Sequence, residues 1–313
     1  MAPKEVEPWA RCLLPSANRS VVWLFDVDDT LTDTQSMHHR AADSLVAELA
    51  TQMSESLAAS VVNRFRGVFD ELLTVHQQVP VSDKNRLLSL KQLDSRVRSY
   101  QREILEKWHI TRPFSREVLL RIASEDCGAL LTPDGLRHCT DRYWDHMREN
   151  PIVFPDAVRL SRKLAIQGAP IYLMTSSDAR YRERRNGQFT YDPKESLEDK
   201  NRRMENLKNH GIRYAKAFIG DPIDKPSADF YNRALSEISH DLDSPLESLF
   251  TVVIGDSYRS DIQTPLELLD STIGIWCRRG QPSIRVEEER VVSIGDFNMF
   301  IEALEAVESK DKR

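Results

Sequence analysis

Ten residues near the amino terminus have the sequence Val21-Val22-Trp23-Leu24-Phe25-Asp26-Val27-Asp28-Asp29-Thr30. The first five are β-branched, aromatic or leucine, a composition typical of a strand that is buried on both faces of a parallel sheet. The strand runs directly into Asp26 and Asp28, and buried carboxylates need a compensating partner, usually a divalent cation. Open α/β sheets bind ligands at the carboxyl ends of their strands, so the pattern predicts an acidic ligand site there.

An isolated Asp-x-Asp pattern is more often an acidic turn than a functional site. Three later segments favour a site, and each combines a chemically active side chain with a strand or a helix start. They are Ile171-Tyr172-Leu173-Met174-Thr175, then Lys225-Pro226 followed by Phe230 and Ala234-Leu235, and then Val252-Val253-Ile254-Gly255-Asp256 continuing to Asp261.

These four segments, in this order, resemble the four motifs of the haloacid dehalogenase superfamily. The resemblance covers residues 20–33 and 150–280, and the segment between them matches only in placement and helical pattern. It implies an α/β fold with a doubly wound parallel sheet, in which the strands that lead to Asp26 and Asp256 are neighbours. It also implies a mobile, all-helical cap domain between the first and second motifs, which would close over the site and set substrate choice.

The apolar pattern along the chain indicates the same two parts. Within residues 35–149 apolar side chains recur at helical spacing, and after Asn150-Pro151 strands and helices alternate up to a last strand at Thr272–Trp276. Such alternation implies parallel strands joined by right-handed crossovers. The predicted domains are therefore a core of residues 1–34 and 150–313, with residues 1–19 as an irregular lead-in, and a helical cap of residues 35–149.

Bulk composition excludes several classes of protein. Of the 313 residues, 40% are hydrophobic and 29% charged, which permits a buried core and argues against disorder. The net charge of −6 argues against general binding of polyanions. No segment has the ~20 apolar residues of a transmembrane helix or the pattern of a signal peptide, so we expect a cytoplasmic protein. Without CxxC spacing, four cysteines are predicted to be reduced thiols: Cys12, Cys127, Cys139 and Cys277.

By resemblance, the acids would carry the chemistry. Asp26 would be the nucleophile that forms an aspartyl-phosphate, and Asp28 would protonate the leaving oxygen and then take a proton from water. Magnesium would be the cofactor, held by Asp26, the Asp28 main-chain carbonyl and Asp256. Asp261 would lie beside the metal, either as a ligand or as a partner of one.

The same resemblance assigns the groups that bind the phosphate. Thr175 would donate its hydroxyl, and Lys225 would supply a positive charge that also tethers Asp26. The main-chain amides of Ser176 and Asp29 would be further donors. Thr30 is predicted to shape the turn without taking part in the chemistry.

The functional prediction depends on Asp28, because dehalogenases and phosphonate-cleaving members of the superfamily lack an acid at this position of the first motif. We expect a phosphatase that hydrolyses a small phosphorylated metabolite. A phosphomutase would use the same residues and remains an alternative, as does a catalytically silent binding module that kept the fold, although the intact set of residues argues against the latter.

A third alternative is a nucleic-acid-end phosphatase. Two basic segments motivate it, the tract Arg180–Arg185 and a predicted helix containing Lys84, Arg86, Lys91, Arg96, Arg98 and Arg102. Acids interspersed among these bases and the negative net charge weigh against it. The tract from Ser176 to about Asp199 is longer than a usual βα connection, and is expected to be a functional loop or a disordered excursion.

Overall fold

The structure is a computed structural model that describes residues 9–10, 13, 21–76 and 82–311. The expected lead-in, with Cys12, lies outside these residues except for Trp9, Ala10 and Leu13, which are buried. The chain divides into two compact units. The core unit comprises Met1–Thr34, Ile152–Ser176 and Met204–Arg313, and the helical unit comprises Gln35–Pro151 and Ser177–Arg203.

Nine strands occur in the described part of the chain. In order they are β1 (Val21–Phe25), β2 (Ile171–Ser176), β3 (Tyr181–Glu183), β4 (Phe189–Tyr191), β5 (Lys216–Gly220), β6 (Phe250–Gly255), β7 (Thr272–Cys277), β8 (Arg285–Glu288) and β9 (Val291–Ile294). Strands β3 and β4 pair with each other in the helical unit. The other seven form the sheet of the core unit, in the order β5-β2-β1-β6-β7-β9-β8.

The sheet is parallel except at one edge. Strand β1 lies between β2 and β6 and is parallel to both. Only β8 runs antiparallel to its neighbour, β9, among the strands of this described sheet. The expectation that the sheet ends at Thr272–Trp276 was wrong, because the chain adds β8 and β9. All four residues of β8 are exposed, so this strand lacks the apolar pattern that would have predicted it.

Eleven α-helices lie within the described residues. They are α1 (Thr34–Ala50), α2 (Glu55–His76), α3 (Lys84–Tyr100), α4 (Arg102–Trp108), α5 (Arg116–Asp126), α6 (Pro133–Glu149), α7 (Pro155–Ile166), α8 (Pro193–Asn209), α9 (Ala228–Asp241), α10 (Thr264–Leu268) and α11 (Phe297–Asp311). Among these described helices, none is long and apolar enough to cross a membrane.

Both faces of the sheet are covered by helices. Side chains alternate along a strand, so Trp23 and Phe25 face one side while Val22 and Leu24 face the other. The first pair packs in a buried cluster with α7 and α11, and the second packs in another with α9 and α10. The prediction of a doubly wound α/β fold is therefore confirmed.

The tract after β2 is structured, and the expectation of a loop or a disordered excursion was wrong. Strands β3 and β4 form a hairpin whose turn contains Gly187 at φ 76°, a conformation that glycine adopts without strain. Helix α8 begins at Pro193, earlier than the predicted Asp199. The sequence-based boundaries placed residues 177–203 in the core, whereas the contacts place them in the helical unit.

Candidate active site

The carboxyl ends of the two central strands lie side by side. Phe25 of β1 is in register with Ile254 of β6, and the Asp26 amide donates to the Ile254 carbonyl at 2.8 Å. The acids that follow these strands, Asp26 and Asp256, therefore emerge at the same edge of the sheet. This is the point at which open α/β sheets bind ligands.

Three carboxylates meet at this edge. Asp26, Asp256 and Asp261 each offer an oxygen, and these oxygens lie within 4.8 Å of one another. Asp261 reaches the cluster from a π-helical turn, Tyr258–Gln263, and its Oδ2 accepts the Ser257 amide at 3.0 Å. Gly255 makes this approach possible, because a β-carbon at that position would collide with the Asp261 side chain.

Lys225 lies between two of these acids. Its Nζ is 2.5 Å from Asp26 Oδ1 and 2.7 Å from Asp261 Oδ1, and the side chain is buried. Burial works to lower the pKa of Lys225, but the charges of Asp26 and Asp261 outweigh it and raise the pKa well above the ordinary value. The lysine is therefore a fixed positive charge that tethers Asp26.

One buried ammonium does not balance three clustered carboxylates. Burial raises the pKa of Asp26 to about 7, against the lowering effect of Lys225. Burial, with repulsion from Asp26 and Asp261, also raises the pKa of Asp256 well above its ordinary value. Asp26 Oδ2 is buried and accepts no hydrogen bond from the described residues. An all-oxygen cluster with excess negative charge and an unused carboxylate oxygen fits a hard divalent cation such as magnesium.

Asp28 lies on the turn that follows β1. Its Oδ1 accepts a hydrogen bond from the Thr34 hydroxyl at 2.8 Å, and the Thr34 oxygen is 3.0 Å from that of Thr32. The next residue, Asp29, has φ 59°, in the left-handed region. Thr30 is fully buried, and its amide donates to the Val27 carbonyl at 3.3 Å. The turn thus holds Asp28 by backbone and side-chain contacts together.

The end of β2 brings Thr175 and Ser176 to the same edge. Thr175 is fully buried, and the Ser176 hydroxyl donates to Asp224 Oδ1 at 2.9 Å. Asp224 Oδ1 also accepts the Lys225 amide at 2.7 Å, so this acid ties the end of β2 to the loop that carries the lysine. Asp224 was not predicted as a site residue. The only feature of the sequence that could have indicated it is its position directly before Lys225.

Three arginines of the Arg180–Arg185 tract form ion pairs within the helical unit, namely Arg180, Arg182 and Arg184. Arg180 is buried and pairs with Glu117 at 3.0 Å, and also with Asp141 and Asp199. Arg182, which is more exposed, pairs with Glu195 at 2.7 Å. Through Arg180, Glu117 of α5 and Asp141 of α6 hold residues 177–203 against these helices, while Asp199 pairs with the arginine from within the segment, so Arg180 is a structural residue of its unit.

Comparison with known proteins identifies relatives of this architecture. The family model of the haloacid dehalogenase-like hydrolases matches residues 22–266. The structure of the HAD-hydrolase YfnB from Bacillus subtilis, bound to magnesium, has a TM-score of 0.53 at 16% identity, covering 91% of this chain and 99% of that one. None of the curated proteins matches the sequence significantly.

Two further solved structures are similar to this chain, with lower TM-scores. The 2-haloacid dehalogenase from Pseudomonas syringae pv. Tomato has a TM-score of 0.48 at 14% identity, over 92% of this chain and 99% of that chain. A HAD phosphatase from Thermococcus onnurineus has a TM-score of 0.44 at 15% identity, over 91% and 97%. At such low identity the likeness concerns the fold, so the site residues have to carry any argument about the reaction.

Proposed function

The chain belongs to the haloacid dehalogenase-like hydrolases, and we propose that it is a magnesium-dependent phosphatase acting on a small phosphomonoester through an aspartyl-phosphate. The observation that carries this proposal is the Asp28 carboxyl, two residues beyond Asp26 and hydrogen-bonded to Thr34 on the same turn. A leaving halide needs no proton, whereas the oxygen of a phosphate ester does. An acid placed here therefore favours phosphate esters over haloacids.

In the proposed reaction an oxygen of Asp26 attacks phosphorus, the bond from phosphorus to the ester oxygen breaks, and Asp28 gives that oxygen its proton. Water then attacks the aspartyl-phosphate, Asp28 takes its proton, and phosphate leaves with Asp26 restored. Lys225, 2.5 Å from Asp26 Oδ1, holds the nucleophile in place and adds positive charge. Thr175 and Ser176, at the end of β2, are the proposed donors to phosphate oxygens.

The proposed ligands of magnesium are the carboxylates of Asp26, Asp256 and Asp261 and the main-chain carbonyl of Asp28. When bound, the ion supplies positive charge to the phosphoryl oxygens. The three clustered carboxylates and the unused Asp26 Oδ2 support this assignment.

Removal of the metal should abolish turnover. We expect a chelator to lower phosphate release by at least about a thousandfold, because three carboxylates then repel both one another and the incoming phosphate. Excess magnesium should restore it, while calcium should not, since its larger and more flexible shell misplaces the nucleophile. Phosphate release in the presence of chelator, magnesium and calcium checks this. Full activity in excess chelator would contradict the assignment.

Asp28→Asn should discriminate between leaving groups. We expect an alkyl phosphate to lose roughly 100-fold to 10,000-fold in kcat/KM, which reports the phosphoryl-transfer step, while an aryl phosphate loses far less, because a good leaving group departs without a proton. Steady-state kinetics on both substrates measure the ratio. Equal losses on the two esters would assign Asp28 another task.

The helical unit is the proposed determinant of substrate choice, and a small metabolite is the proposed partner. A nucleic-acid end is less well supported, because the net charge is negative and two basic residues of α3, Arg96 and Arg98, are paired with acids of their own unit. Arg96 pairs with Glu125 at 2.6 Å and with Asp126 at 2.5 Å, and Arg98 pairs with Asp94 at 2.8 Å. The acidic cluster with its tethering lysine argues against a silent binding module.

A substrate screen tests the proposal as a whole. Purified protein with magnesium is incubated with a panel of phosphorylated metabolites and with a 5′-phosphorylated oligonucleotide, and both phosphate release and isomeric products are measured. Release of phosphate from a small ester, absent in an Asp26→Asn preparation, is the expected result. Conversion into an isomeric ester without free phosphate would instead identify a phosphomutase, and release only from the oligonucleotide would identify an end-processing enzyme.

A further inference from the structure

Arg279, in the loop after β7, belongs to none of the four motifs but contacts the turn that carries Asp28. Its Nη2 donates to the main-chain carbonyl of Thr30 at 2.6 Å. Its Nη1 donates to the Asp156 carboxylate at 2.5 Å, and Asp156 is buried near the start of α7. The Arg279 guanidinium thus joins the turn after β1 to the start of helix α7.

The guanidinium is held on its faces as well as along its edge. Its central carbon lies 3.9 Å from the ring centre of Phe154 and 4.7 Å from that of Phe297. Asp156 Oδ2 also accepts the Phe297 amide at 2.6 Å, which fixes the carboxylate that orients the arginine. A planar cation in contact with two rings, with two donors in a fixed fork, is a geometry that lysine cannot reproduce.

The contacted turn is wound tightly around one carbonyl. Val27 O accepts the amides of Leu31 and Thr32 at 2.9 and 3.1 Å, and also the Thr32 hydroxyl at 3.1 Å. The Leu31 carbonyl accepts the Phe154 amide at 3.0 Å. Thr30 is the point at which the turn faces Arg279, so the arginine supplies a restraint that this backbone pairing does not.

We propose that Arg279 is a positioning residue for Asp28, acting through the Thr30 carbonyl. The proposal rests on the proposed phosphatase function, in which Asp28 transfers the proton. The restraint at Thr30 fixes the backbone two residues beyond Asp28, and so fixes the carboxyl relative to the leaving oxygen. Proton transfer depends steeply on such placement, and a displacement near 1 Å can cost roughly a hundredfold in rate.

Arg279→Met removes both hydrogen bonds and keeps much of the apolar contact. We expect kcat/KM for an alkyl phosphate to fall roughly tenfold to a hundredfold, and kcat/KM for an aryl phosphate to change less than about threefold, because only the alkyl leaving group needs the proton in the phosphoryl-transfer step. Arg290→Met is the matched control. Arg290 also donates to main-chain carbonyls, those of Leu266, Leu269 and Asp270, but these belong to α10 and the residues just after it, none of which is a proposed site residue. It should leave the ratio of alkyl to aryl rates unchanged.

Amide hydrogen exchange gives a second readout that does not depend on activity. In Arg279→Met the amides of residues 30–32 should exchange about tenfold faster than in the native protein, and in Arg290→Met they should not. Should Arg279→Met fail to fold, Arg279→Lys replaces it, since it keeps the charge but lacks the fork. Equal losses on both esters, or unchanged exchange at residues 30–32, would overturn the proposal. A native protein without phosphatase activity would overturn the proposed function and, with it, the catalytic role of Arg279, while exchange would still show whether Arg279 restrains the turn.

Discussion

Replacing Asp26 with asparagine should abolish turnover while the protein remains folded. The substitution keeps the size of the side chain but removes the carboxylate that would attack phosphorus, so no aspartyl-phosphate forms. We expect phosphate release to fall at least about 10,000-fold, to the limit set by contaminating enzymes. Lys225 keeps its contact with Asp261 at 2.7 Å in this variant, so its charge retains a partner.

The matched control is Asp33→Asn, which neutralises an acid just beyond the same turn and outside the carboxylate cluster. It should retain most of the activity. Circular dichroism and thermal melting establish that both variants are folded. Turnover of Asp26→Asn within about tenfold of the native rate would show that another group attacks phosphorus, and would remove the basis for an aspartyl-phosphate.

Replacing Arg180 with methionine should cost about 3–5 kcal/mol of unfolding free energy, the usual effect of breaking a buried ion pair on one side. Glu117 would stay buried without its cation, and Asp199 would keep its longer contacts of 3.7 Å with Arg148 and Arg202. Arg182→Met is the matched control, because the Arg182 side chain is 46% exposed and its pair with Glu195 is screened by solvent. This control should change stability by less than about 0.5 kcal/mol.

The loss of unfolding free energy in Arg180→Met should depend on pH because of the Glu117 carboxyl. Burial raises the pKa of this carboxyl, and Arg180 opposes the rise, so the pKa should climb further in Arg180→Met. A carboxyl with a raised folded-state pKa costs stability when it is ionised, and the cost disappears as the pH falls through that pKa. The deficit of Arg180→Met should therefore be largest near neutral pH and shrink in acid. Denaturant titrations at several pH values measure it, and a variant as stable as Arg182→Met would refute the role assigned to Arg180.

The sequence was sufficient to predict the buried strands and the acids at their ends, because these depend on residues that are close together in the chain. A run of five residues rich in β-branched and aromatic side chains favours a buried strand, and acids directly after such a strand come to the carboxyl edge of the sheet. The neighbouring positions of Asp26 and Asp256 followed once the family resemblance supplied the strand order. The alternation of strands and helices in the carboxyl-terminal half likewise predicted a parallel sheet with helices packed on both of its faces.

Other features depend on contacts between residues far apart in the chain, and no local sequence pattern predicts them. Arg279 meets Thr30 across 249 positions, and no pattern around Arg279 predicts that contact. The charged tract from Ser176 to about Asp199 was predicted to be a functional loop or a disordered excursion, because it is longer than a usual βα connection. Arg180, however, is compensated by an acid from a distant helix, Glu117, across 63 positions. Whether a charged side chain is solvated or buried depends on which partner the fold brings to it, and only the tertiary structure decides that.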